Sequence, residues 1–189
     1  MTTRILLAAT VLSTLAGCAA TPPMTMPMFS QAALPDAVMV PAGHAVVMET
    51  VGVGEITYEC KTKAVAGAGA TTMAGEFEWV FVSPKAVLND RSGKPVGSYF
   101  GPPATWEAAD GSRITGTQLA VAPSSPGNIP LQLVKANPAM GSGAMTGISH
   151  VQRVATQGGV APALPCAAAS MGQKQVVPYR ADYIFYRAM

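Results

Sequence analysis

Glu55-Ile56-Thr57-Tyr58-Glu59-Cys60 alternates polar and apolar residues in strict period two, which is the pattern of a half-buried β-strand and places Ile56, Tyr58 and Cys60 on one face. Upstream, residues 45–50 have the composition of a further strand. Downstream, residues 78–83, 113–121, 129–135, 148–156 and 177–186 do too. Between them stand Asn89-Asp90-Arg91-Ser92-Gly93 and Asp110-Gly111, whose residues accept positive φ and suit tight connections between antiparallel neighbours. No window carries a sustained helical stripe, and 16 prolines and 19 glycines punctuate the chain. The expectation is an all-β domain of about seven to ten short strands, folded as an antiparallel sandwich or a partly open barrel.

The chain ahead of these strands has a different character. Arg4 precedes an apolar run from Ile5 to Thr14, followed by Leu15-Ala16-Gly17-Cys18. A charged start and a short apolar stretch mark a secretory signal rather than a membrane span, which needs about 20 apolar residues. The layout resembles a bacterial lipoprotein signal with its lipobox. That resemblance implies cleavage after residue 17 and lipid on Cys18, and two or three acyl chains would anchor the protein firmly. By analogy with enterobacterial lipoproteins, Ala19 after the cysteine favours the outer membrane over retention at the inner one. Residues 18–37 then read as lipidated cysteine and tether, and residues 38–189 as a single β domain. Residues 19–35 hold four prolines and few bulky aliphatics, enough chain to set the domain roughly 20–25 Å from the lipid. Met24, Met26 and Met28 are soft thioethers suited to Cu(I), although no His or Cys lies close by to complete a site.

Composition narrows the functional classes. The formal net charge is +2 and Arg4 leaves with the signal, so the surface offers no electrostatic footprint for nucleic acid. The glycines within residues 64–75 do not match a phosphate-cradling spacing, and the segment reads as a hairpin loop. With Cys18 committed to lipid, Cys60 and Cys166 remain, and an even pair in an exported protein is expected to form a disulfide. Its loop of about 100 residues corresponds to about 4–5 kcal/mol in the chain-entropy model.

Several segments together resemble a known family. They are Gly54-Glu55-Ile56-Thr57-Tyr58-Glu59-Cys60, Trp79, Gly101-Pro102-Pro103-Ala104-Thr105-Trp106, Asp110-Gly111-Ser112, the run from Val151 to Gly159 and the run from Pro178 to Tyr186. Their order is similar to that of the secreted bacterial and fungal family catalogued as domain of unknown function 3455, across most of residues 38–187. Pro130-Leu131-Gln132-Leu133 and His150 depart from its pattern, where Pro-Trp-Leu-Leu and an aromatic are typical. The resemblance implies an envelope or extracellular domain and brings no activity with it.

Nothing in the sequence marks an enzyme. His44 and His150 lie in no acid–base or metal pattern, and no H-E-x-x-H, G-x-S-x-G or Cys-His signature is present. Asp90 and Asp110 sit in turns, while Glu55 and Glu59 read as a solvated strand face. Arg153 and Asp182 each interrupt an apolar strand, and buried charges need partners, so the two are expected to pair with each other. Trp106, expected at an exposed loop, and Tyr99 are the candidate ligand contacts, because aromatic faces can hold sugars or apolar ligands. The reading is a lipid-anchored, cofactor-free binding or structural module for an envelope ligand or protein. A hydrolase acting on an envelope glycan is the alternative, and Cu(I) handling through the methionines is a third.

Overall fold

The computed structural model describes residues 29–63 and 76–189. The signal segment, Cys18, Met24, Met26, Met28 and the expected loop at 64–75 lie outside them. Eight strands follow one another: β1 (His44–Thr62), β2 (Phe77–Asn89), β3 (Pro95–Phe100), β4 (Thr105–Ala108), β5 (Arg113–Ala122), β6 (Leu131–Ala136), β7 (Ile148–Gly158) and β8 (Lys174–Ala188). Each pairs antiparallel with the next, and β8 returns to β1, giving a closed up-and-down barrel. Closure joins the two strands that an open sheet would leave as edges.

Two expected strands, 45–50 and 55–60, are parts of the single 19-residue β1. The glycines between them do not break the strand; they let neighbours approach. A Cβ on Gly52 would lie 2.6 Å from Cε2 of Tyr183, and one on Gly54 would lie 2.1 Å from the carbonyl oxygen of Lys85. The short strands β3 and β4 were not anticipated. They pair with each other along four positions, among them Tyr99 opposite Trp106 and Phe100 opposite Thr105.

Side-chain alternation divides the apolar residues into two layers. Ile56, Leu88, Tyr99, Trp106, Ile114, Val134, Val151, Tyr183 and Phe185 fill the interior. On the outside, Leu133, Val154, Ile184 and Tyr186 are covered by Val38 and Val40, with Phe29 and Leu34 packed alongside. The packed part of the chain therefore begins ahead of residue 38, where the sequence reads as tether. Burying each of the two valines contributes roughly 1.5–3 kcal/mol. A polar lock fixes this cover. Gln152, fully buried, donates to the Val38 carbonyl at 2.6 Å and to Gln31 Oε1 at 3.0 Å, and accepts from the Tyr186 hydroxyl at 2.6 Å.

The expected pairing of Arg153 with Asp182 is not formed. Tyr183 is the register partner of Arg153, and Val154 is that of Asp182. Consecutive residues of a strand face opposite sides, so Arg153 enters the barrel while Asp182 stands on its outer wall. Asp182 accepts instead from Arg91 of the β2–β3 turn, whose guanidinium also reaches Glu49 at 2.7 and 3.0 Å. Asp90 and Asp110 serve their turns as expected. Asp90 accepts from the Ser92 and Lys94 amides, and Asp110 from those of Ser112 and Ala144. Donation from the serine hydroxyls first, and then from these amides, lowers both carboxyl pKa values. The disulfide between Cys60 and Cys166 is present, with Cα atoms 5.6 Å apart and a sequence separation of 106. It joins the end of β1 to the β7–β8 connection.

Candidate functional site

The wall of the barrel is uneven in height. β3 engages β2 only along Lys85–Asn89, and β4 engages β5 only along Arg113–Thr115. The strands on either side run on beyond the β3–β4 turn. On the side facing that hairpin, β2 before Lys85 and β5 after Thr115 have no ladder partner among the described residues. At this end a cavity of about 320 Å³ enters the barrel, bounded by Phe81 and Pro84 of β2, Ala104 of the turn and Gly116 of β5. Gly116 is required there, since a Cβ would lie 2.3 Å from Cγ1 of Val134 and 3.3 Å from the Trp106 ring. A larger depression of about 700 Å³ over the outer wall of β1–β3, where Val53, Val87 and Phe100 are exposed, is shallow and open to solvent.

Four strands deliver polar side chains into the cavity. Gln118, Gln132, Arg153, Tyr179 and Tyr183 share its lining with Ile56, Ile129 and Val134. Gln132, Arg153 and Tyr183 are successive register partners across β6, β7 and β8, which is why they form one row. Gln132 donates to Gln118 at 2.6 Å, and the hydroxyls of Tyr179 and Tyr183 lie 3.1 Å apart. Half-buried Arg153 donates through Nε and Nη2 to the single carbonyl of Pro130, at 3.2 and 2.9 Å. Among the described residues it forms no ion pair, in contrast to Arg91.

One of the two aromatic candidates needs correction. Trp106 does not present itself at an exposed loop; it is 1% exposed, stacked on Tyr99 with centroids 4.8 Å apart and edge-on to Tyr183. The Gly-Pro-Pro-Ala turn precedes it, but as a β4 residue it points inward. Tyr99 is buried too, yet lines the cavity. His44 and His150 pack edge to face at 4.7 Å near the opposite end, where burial first, then His44 and Lys135, lowers the pKa of His150. Gln118, Gln132, Tyr179 and Tyr183 were not singled out as site residues. Polar residues at inward positions of otherwise apolar strands were the signal available, and it is readable only once the inward face is known.

All five tyrosines are buried, and in each burial is the main cause of a raised pKa. Tyr186 is pushed up to about 12, with Glu49 adding to the effect. Inside the barrel, Arg153 opposes the rise at Tyr58, Tyr99, Tyr179 and Tyr183. A raised folded-state pKa means that the native state holds protons the unfolded chain releases, so this stability is complete below about pH 10 and falls as pH rises toward about 12 and beyond. Alkaline titration followed by tyrosinate absorbance is expected to show almost no ionisation at pH about 10, then a steep rise coincident with loss of structure. Five independent tyrosines titrating near pH 10 would contradict the burial described.

No curated protein and no solved structure is matched by this chain. A family model described as "Protein of unknown function (DUF3455)" matches residues 41–187, which begins three residues ahead of β1 and ends one residue short of the end of β8. The matched region takes in all eight strands but for the last residue of β8, mouth and disulfide included, and the chain belongs to that family, DUF3455.

Proposed function

We propose that this protein is a binding module of the bacterial cell envelope, lipid-anchored through Cys18 with the outer membrane as its site, and that the barrel mouth receives a small ligand without converting it. The observation carrying this reading is the cavity of about 320 Å³, apolar along most of its wall and supplied with a few converging polar groups. Ligand sites have this character, with volumes from about 300 Å³ upward, and an eight-stranded barrel is wide enough for one small molecule. Among the described residues its lining includes no Asp, Glu, His or Cys, so they offer neither a carboxylate pair nor a nucleophile with its base. That favours binding over hydrolysis of an envelope glycan.

A thermal-shift panel of small envelope-derived compounds on the full chain tests the reading. A ligand at about 100 times its Kd is expected to add about 2.7 kcal/mol, or on the order of 5–10 °C in Tm. Silence across the panel would favour a purely structural role. The anchor is tested separately: labelled palmitate is expected in the wild type and not in Cys18→Ala, and equal labelling of both would remove the anchor from the proposal.

A further inference from the structure

Resting on the reading of the mouth as a ligand site, we infer that its ligand is a small amphipathic monocarboxylic acid, its carboxylate held by Arg153 and its apolar body lying against Phe81, Pro84 and Ala104. Among the described residues, Arg153 is the only charged one lining the cavity. A guanidinium carries five N–H donors in a planar fork. The Pro130 carbonyl engages only Nε and Nη2, leaving Nη1 and the second hydrogen of Nη2 without an acceptor among the described residues. A neutral carbonyl balances no charge. The neighbouring phenols do not either, because burial holds them protonated. The cavity is therefore a half-buried site with one net positive charge and spare donors, and a carboxylate supplies both the missing charge and two acceptor oxygens.

The rest of the lining limits the class further. One cation, with no lysine or second arginine beside it among the described residues, matches a monoanion better than a phosphate monoester. The Gln118–Gln132 pair and the Tyr179–Tyr183 hydroxyls place polar atoms on the same β5–β8 side, while Phe81, Pro84 and Ala104 make the opposite rim apolar. An acid with one ring or a short alkyl chain suits both the volume and this division.

Calorimetric titration of the full chain with phenylacetate and phenethyl alcohol, octanoate and octanol, and phenyl phosphate tests the inference. Each acid is expected to bind at least tenfold more tightly than its alcohol. Arg153→Gln is expected to abolish that preference while leaving the alcohol affinities within about twofold, and Arg153→Lys to retain part of it. Equal binding of acid and alcohol by the wild type would overturn the carboxylate assignment and leave the cavity as a binding site. Tightest binding of phenyl phosphate would overturn the monoanion assignment. Binding of none of the five would overturn the assignment together with the reading on which it rests. Should Arg153→Gln fail to fold, the acid-to-alcohol ratio of the wild type decides by itself.

Discussion

Trp106→Ala is expected to lower the free energy of unfolding by about 3–5 kcal/mol, the range for removing a large aromatic from a packed interior. The ring is 1% exposed and packs against Tyr99 of β3 and Tyr183 of β8, so neighbours on two strands would have to move to fill the space. β4 offers little else to resist the loss. It has four residues and three register partners on β5, and Trp106 is its largest buried side chain. Trp106→Phe should cost far less, about 1–2 kcal/mol, because the aromatic stack survives and an unsatisfied group disappears. The indole Nε1–H is buried with no hydrogen-bond acceptor among the described residues. Urea unfolding of the three proteins measures both differences. An alanine variant as stable as wild type would mean that Trp106 is not a core residue at all.

Removing the disulfide, by Cys60→Ala with Cys166→Ser, is expected to cost about 2–5 kcal/mol. A crosslink spanning 106 positions restricts the unfolded chain over most of the domain, and this restriction is the larger part of the expected effect. In the folded state other contacts already hold the β7–β8 connection. The Cys60 amide donates to the Gln173 carbonyl at 3.0 Å, the Gly172 amide to the Cys60 carbonyl at 2.8 Å, and the Trp79 indole to the Leu164 carbonyl at 2.8 Å. The barrel should therefore still form without the bridge, with a lower unfolding midpoint. Denaturation of the wild type with and without reductant provides a second reading of the same quantity, and a loss below about 1 kcal/mol in both would show that the bridge constrains little.

The inner face of β1 was legible from Ile56, Tyr58 and Cys60 because alternation is a local property, and all three are buried. The turns around Asp90 and Asp110 were legible because Asx turns and glycine need only the neighbouring residues. The cysteine pairing followed from arithmetic. What escaped the sequence involves distant partners. Gly52 and Gly54 read as a break because the Tyr183 ring and the β2 backbone that approach them come from elsewhere in the chain. Arg153 and Asp182 look equivalent in sequence, yet a one-residue difference in register sends one into the barrel and the other to Arg91.

The all-β class, most of the strands, the disulfide and the family are readable along the chain, since each rests on periodicity, turn chemistry or motif order. That the sheet closes, that Phe29, Leu34, Val38 and Val40 cover its outer wall, and that Arg153, Gln118, Gln132, Tyr179 and Tyr183 meet at one mouth emerges only in the folded barrel. The physical reason is that closure and convergence depend on strand register, strand length and the close approaches that glycines permit. Those are relations between segments far apart in the chain, and local pattern does not encode them.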